Sequence, residues 1–141
     1  MKKTLFLLVA LAVLSAMLLS ACGGGSQPTA ETARPDAPAP YAGKTLPAGS
    51  DAAAGKELYT TNCASCHGDT GMGDGPSAAS LDPKPKPLAQ EMGSLKDDYM
   101  LWRISEGGAM APFNSAMPAW NTSLTEEQIW QVVAYLRTMK Q

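Results

Sequence analysis

The sequence is short of positive charge. Its 141 residues include 11 lysine and arginine residues against 13 aspartate and glutamate residues, so the formal net charge is −2. A net charge of this sign argues against nucleic-acid binding as the main activity. The sequence also lacks internal repeats and any persuasive strand alternation of apolar and polar residues. It therefore predicts neither a β-sheet domain nor a nucleic-acid partner.

Long apolar runs are absent except at the N-terminus. Two lysines precede an apolar run from residue 5 to 19, which is short for a membrane span and typical of a signal peptide. The run ends in Leu-Ser-Ala-Cys at residues 19–22, which is similar to the lipobox of bacterial lipoproteins. We therefore expect residues 1–21 to be a lipoprotein signal peptide and Cys22 to be lipidated. The alternative is an unmodified thiol behind an ordinary leader.

Large apolar residues are scarce again between residues 22 and 49, which are rich in glycine, alanine and proline. This composition predicts a flexible linker that follows the lipid anchor. Residues 50–141 predict one small all-α domain with long loops. Its helices are indicated from about Asp51 to Asn62, from Ser94 to before Gly107, and after Thr125, which Gln128 completes as a capping box.

Cysteine is rare, and two of the three cysteines form one motif. Cys63-Ala64-Ser65-Cys66-His67 has the C-x-x-C-H spacing of a c-type haem attachment site. Two thiols on a turn of helix match the two vinyl groups of haem, and the adjacent histidine is held under the iron. A thioredoxin-like dithiol would be expected after a strand, and structural zinc needs four ligands, typically cysteine and histidine. The sequence therefore favours one covalent haem c over both alternatives.

His67 is the only histidine of the chain, so one chain cannot supply two histidine ligands to a haem. The sixth ligand must be a methionine, a less usual donor such as lysine, or nothing. A methionine usually fills a gap in a core. Met110 and Met117 both lie in the extended segment 107–121, and Met117 precedes Pro118, which restricts its backbone. Spacing alone favours Met117, with Met110 as the runner-up.

A series of short motifs between Ala54 and Arg137 has the order and spacing of a known family. The motifs are Gly55-Lys56-Glu57-Leu58-Tyr59, Cys63-Ala64-Ser65-Cys66-His67-Gly68, Gly73-Asp74-Gly75-Pro76, Met117-Pro118-Ala119-Trp120, Leu124-Thr125-Glu126-Glu127-Gln128-Ile129-Trp130 and Tyr135-Leu136. Together they resemble a bacterial class I, monohaem cytochrome c. The resemblance implies a helical domain wrapped around one haem, with Cys63 and Cys66 as attachment points. It also implies His67 and Met117 as the two ligands of the haem iron.

The resemblance implies two further contacts. Gly55 and Tyr59 would pack against Val132 and Tyr135 where the first and last helices cross. The carbonyl of Pro76 would accept a hydrogen bond from Nδ1 of His67 and so orient the ring. Three other prolines in the same loop are alternatives for this role: Pro83, Pro85 and Pro87.

These features predict an electron carrier, not an enzyme. Histidine and methionine together leave no open position on the iron, and haems of this kind transfer electrons. The sequence indicates no small-molecule substrate, and we expect membrane redox complexes as electron donor and acceptor. The lipid anchor predicts a location on the outer face of the cytoplasmic membrane, facing the periplasm or the cell exterior. The alternatives are a fixed haem subunit of a quinol-oxidising complex or an oxidase, and a haem sensor with a labile sixth ligand.

Overall fold

A computed structural model of the protein describes residues 34–139, and over this range the chain is helical with no strand. The predicted all-α class is confirmed. The helices are α1 (Ala52–Asn62), α2 (Ala64–His67), α3 (Leu88–Glu91), α4 (Asp97–Glu106) and α5 (Glu126–Thr138), with short 3₁₀ helices at Ala78–Ser80 and Trp120–Thr122. The predicted signal peptide, Cys22 and the start of the predicted linker lie outside the described residues.

Side-chain caps explain where the first and last helices begin. Oδ1 of Asp51 accepts hydrogen bonds from the amides of Ala53 and Ala54, at 2.8 and 3.2 Å. Thr125 and Gln128 form the predicted capping box at the start of α5, with N–O distances of 2.9 and 3.2 Å. These bonds satisfy amide groups that have no partner within the helix. The starts of both helices therefore agree with the sequence prediction.

The crossing of α1 and α5 is the closest helix contact of the domain. A Cβ atom at Gly55 would lie 1.9 Å from the carbonyl oxygen of Gln131, so only glycine fits there. One turn later the rings of Tyr59 and Tyr135 meet edge to face, with centroids 5.4 Å apart. Gly55 and Tyr59 thus contact α5 as the resemblance implied, and the fully buried Val132 lies on the same helix.

The core lies between α1, α4 and α5. Its buried apolar residues are Tyr59, Ala64, Met92, Leu95, Met100, Leu101, Ile104, Ile129, Trp130, Val132, Val133 and Leu136. The start of α4 differs from the prediction, because the helix begins at Asp97 and Lys96 provides no side-chain cap. Arg137 of α5 instead organises this region, donating to the Leu95 carbonyl at 2.8 Å and, through Nε, to Asp97 at 3.1 Å.

Residues 35–49, which we call the N-terminal strap, lie on the helical domain although the sequence predicted a linker over 22–49. The compact unit of the chain begins at Pro35. The amides of Gly43 and Leu46 donate to the carboxylates of Asp98 and Asp97, at 2.9 and 3.0 Å. Tyr41 and Leu46 also pack against the core.

The strap also makes polar side-chain contacts along the domain. The hydroxyl of Tyr41 donates to Glu106, and Lys44 forms an ion pair with Glu126 at 2.8 Å. The acidic first turns of α4 and α5, together with Glu106 at the end of α4, therefore supply the acceptors that hold the strap. Among residues 34–139, no helix has the length and apolar character needed to cross a membrane.

We predict that the strap stabilises the domain. A chain beginning at Ser50 should unfold with a free energy about 2 kcal/mol smaller than one beginning at Pro35, because it loses the apolar contacts of Tyr41 and Leu46. Urea unfolding of both chains measures the difference. In the longer chain, Lys44→Gln should cost much less, since an exposed ion pair contributes little. Equal stability of the two chains would show that the strap contributes nothing.

Candidate functional site

The motif at residues 63–67 folds as one helical turn directly after α1. Cys63 closes α1 through its amide, which donates to the Tyr59 carbonyl at 2.8 Å, and it also precedes α2. The Cys63 carbonyl then accepts from the amides of Cys66 and His67, at 3.2 and 2.9 Å. The structure therefore brings both cysteines and the histidine together on a single turn. A helix, not a strand, leads into the dithiol.

The two cysteines are free and half-buried. Burial, and to a smaller extent the neighbouring Cys66, raise the pKa of the Cys63 thiol to about 12. Reactive redox dithiols have lowered pKa values, because the thiolate is their nucleophile. Cys63 is therefore a neutral thiol at physiological pH. Within residues 34–139, no three histidine, cysteine or acidic side chains are arranged to hold a bare metal ion.

His67 is half-buried, and burial lowers the pKa of its imidazole. The neutral ring that results is the form that ligates metals. Its Nδ1 atom is buried and has no hydrogen-bond partner among the described residues. The predicted bond from Nδ1 to the Pro76 carbonyl is therefore wrong for this structure, and the three alternative prolines do not accept one either. A buried ring nitrogen without a partner is unusual in a folded protein.

The loop after His67 covers the end of α2 with its backbone. The bonds run from Gly73 N to His67 O (2.8 Å), from Gly75 N to Cys66 O (3.3 Å) and from Ser77 N to Ser65 O (2.9 Å). They satisfy three carbonyls that a helix end leaves without partners. A Cβ at Gly75 would lie 2.5 Å from the carbonyl oxygens of Ala64 and Ser65, so glycine is required there. The amides of Gly75 and Ser77, on either side of Pro76, bond carbonyls of α2, and Pro76 itself is exposed.

Tyr59 forms a hydrogen bond with Gly68, the residue that follows His67. Its side chain is 1% exposed, and its hydroxyl donates to the Gly68 carbonyl at 2.7 Å. Burial raises the pKa of Tyr59, so the hydroxyl keeps its proton at physiological pH. Gly68 has a φ of 78°, which glycine adopts without strain. The sequence singled out Tyr59 for packing only, and the hydroxyl bond was not predicted.

A second loop carries the two candidate methionines, and we call residues 107–118 the methionine loop. Two backbone bonds close its base, from Gly108 N to Met117 O and from Ser115 N to Gly108 O, both 2.8 Å. Met117 is half-buried and packs against the core. Met110 lies at the start of the turn at the loop tip, where its carbonyl accepts from the amides of Phe113 and Asn114. The two methionines thus differ, because only Met117 combines a fixed backbone with core packing.

Comparison with known proteins places this site in context. Residues 50–136 match the family model described as cytochrome c oxidase, cbb3-type, subunit III. Cytochrome c6 of Synechococcus elongatus is 31% identical over 86 residues, which cover 61% of this chain and 87% of the relative. Cytochrome c-554(547) of Halothiobacillus neapolitanus is 37% identical over 96 residues, which cover 64% of this chain and 98% of the relative.

A solved structure is also similar. It is a chain of the reducing HAO-like protein complex of Kuenenia stuttgartiensis, with a TM-score of 0.52 and 26% sequence identity. The match covers 64% of this chain and 44% of that chain, so the protein spans less than half of the solved one. The helical domain is therefore similar to most of the length of two cytochromes c and to part of a chain from a protein complex.

We predict that the Tyr59 hydroxyl stabilises the turn that holds His67. Tyr59→Phe should lower the free energy of unfolding by about 1 kcal/mol, because it removes one of the two hydrogen bonds that the buried Gly68 carbonyl accepts, the other being from the Gly71 amide at 3.1 Å. Tyr135→Phe is the matched control, since it removes a hydroxyl from the ring that faces Tyr59. Urea unfolding of the two variants measures the difference. Equal losses in both would contradict the role of the Tyr59–Gly68 bond.

Proposed function

Because this chain belongs to the cytochrome c family, we propose that it is a membrane-tethered carrier of single electrons with one haem. The family assignment supports electron transfer by a covalently bound c-type haem, with no enzymatic reaction of its own. The proposal adds the number of haems, the ligands of the iron, the tether and the partners.

The residues at the site fit a c-type haem. Cys63 and Cys66 are free, lie three residues apart on one helical turn, and would form the two thioether links. His67 is next to them with a neutral ring and would be the proximal ligand of the iron. Since the chain has no other cysteines than these and Cys22, one haem is the number it can attach through this motif. When bound, the haem supplies a one-electron couple between ferric and ferrous iron.

We propose Met117 as the sixth ligand. A thioether is a weak ligand, and it binds best from a backbone that is already fixed. The Gly108–Met117 hydrogen bond and the restriction imposed by Pro118 provide that fixed backbone. Met110 lies at the loop tip and does not belong to the residues that pack on the core. The geometry thus supports the order of preference that spacing indicated.

We propose that Cys22 carries the lipid and that the protein is exported to the outer face of the cytoplasmic membrane. The support is the leader and the Leu-Ser-Ala-Cys sequence at residues 19–22. Because the strap lies on the domain, the chain between the proposed lipid anchor and the domain would be limited to residues 22–34. A short tether confines the carrier to partners that also lie at the membrane surface, such as membrane redox complexes.

A fixed subunit of a larger oxidoreductase is the second candidate. The observation that favours it is the match to a family described as an oxidase subunit, together with a solved relative that belongs to a complex. Extraction in mild detergent separates the two candidates. A mobile carrier should elute alone, whereas a fixed subunit should elute with its complex.

The ligand assignment predicts a contrast between two variants. Met117→Ala should abolish the near-infrared charge-transfer band of the ferric protein and lower the reduction potential, because a thioether favours ferrous iron. The reduced variant should also bind carbon monoxide readily. Met110→Ala should leave all three properties close to those of the wild type. If Met110→Ala has the large effects instead, the assignment is wrong, and if the wild type itself binds carbon monoxide at neutral pH, the sensor alternative is favoured.

The anchor proposal predicts that salt does not release the protein from membranes, because two acyl chains bind through apolar burial. Cys22→Ser should prevent lipidation and normal processing. A chain beginning at Ser26 behind an ordinary cleavable leader should be soluble with an unchanged haem spectrum. Membrane fractionation with high salt measures the first outcome, and release of the wild-type protein by salt alone would exclude the lipid anchor.

A further inference from the structure

Arg103, in the last turn of α4, carries a half-buried guanidinium group in an unusual setting. Burial lowers its pKa, although Tyr99 acts in the opposite direction. Among residues 34–139 it forms no ion pair with a carboxylate, unlike Arg137, which pairs with Asp97. A half-buried cation without a counter-charge is costly, so its other contacts must hold it in place.

Two of those contacts lead to the methionine loop. Nη1 of Arg103 donates to the carbonyl of Gly107, the first residue of the loop. The guanidinium carbon also lies 3.4 Å from the centroid of the Phe113 ring, near the loop tip. A single side chain of α4 therefore contacts the loop at its base and near its tip. A planar guanidinium can stack and donate at the same time, whereas a lysine ammonium cannot match both geometries.

The contact at the base is adjacent to the backbone of Met117. Gly107 has a φ of 70°, and a Cβ there would lie 2.6 Å from the Met117 carbonyl oxygen. The next amide, of Gly108, donates to that same oxygen at 2.8 Å. Along this series of contacts, only Gly107 and Gly108 lie between the Arg103 guanidinium and the backbone of Met117.

Two aromatic rings also contact Phe113 near the loop tip. Phe113 meets the ring of Trp102 edge to face at 5.5 Å, and the ring of Tyr99 at 6.5 Å. Both aromatic residues belong to α4, as does Arg103. The Phe113 ring therefore lies between the guanidinium and two rings of the same helix. Displacement of the loop would break contacts with three residues of α4.

We propose that Arg103 is a positioning residue for the sixth ligand of the iron. Through the Gly107 carbonyl and the Phe113 ring it holds the methionine loop in the single conformation from which Met117 projects. The inference rests on the proposed ligation by Met117, and it adds the group that keeps that ligand in place.

The test uses the haem-loaded protein and two variants, Arg103→Lys and Phe113→Leu. Each removes one half of the stacking contact, so each should let the loop open more often. Carbon monoxide binding to the reduced protein requires the sixth ligand to leave, and its rate should rise about tenfold in both variants. The ferric charge-transfer band should also disappear at a lower pH than in the wild type. The double variant should be little faster than either single one, since both break the same contact.

Arg137→Lys is the matched control, because it alters another half-buried arginine that donates to backbone carbonyls away from the methionine loop. It should lower stability and leave the band and the carbon monoxide rate unchanged. If the wild type shows the band but both variants behave like this control, the positioning role is wrong and the ligand assignment stands. If the variants change only the reduction potential, the contact affects the surroundings of the iron without holding the loop, and the positioning role is again wrong. A wild type without the band would overturn the ligand assignment itself.

Discussion

At the crossing of α1 and α5 there is room for a hydrogen atom at position 55 and for nothing larger, since a Cβ would lie 1.9 Å from the Gln131 carbonyl. This contact brings the first and last helices of the domain together and sets the direction in which α1 ends. The turn that carries Cys63, Cys66 and His67 begins at that end. Tyr59 extends the same contact, since it packs on Tyr135 and bonds the Gly68 carbonyl. The position of the cofactor site thus follows from one close helix contact.

Two loops of the domain, the loop after His67 and the methionine loop, are shaped by similar means. The loop after His67 donates three amides to the carbonyls that end α2, and the methionine loop closes its own base through two backbone bonds. Glycines allow close backbone approaches in both loops, for example Gly75 in the first and Gly107 in the second. Backbone hydrogen bonds contribute to the shape of both loops. Electron transfer benefits from such fixed surroundings, because a ligand set that keeps its geometry in both oxidation states needs little rearrangement.

Local sequence signals predicted the parts of the fold that depend on neighbours in the chain. The caps at Asp51 and Thr125 and the helical turn of the dithiol are of this kind, whereas the contact of Gly55 with α5 was implied by the family resemblance. The strap could not be predicted, because its acceptors on α4 and α5 lie far away in sequence and its own composition is that of a linker. The hydrogen bond expected between His67 and the Pro76 carbonyl is not made, and Nδ1 of His67 has no partner among the described residues. Long-range backbone contacts leave no periodic pattern to detect.

We propose above all that the turn of Cys63 and Cys66 holds one covalent haem. Intact mass of the purified protein under denaturing conditions, with a pyridine haemochrome spectrum of the same sample, measures it directly. We expect the mass of the mature chain plus one haem, an iron content of one per chain, and the spectrum of a haem joined by two thioether links. If the protein matures in a host that attaches haem c and its mass is still that of the polypeptide and lipid alone, the covalent haem is excluded.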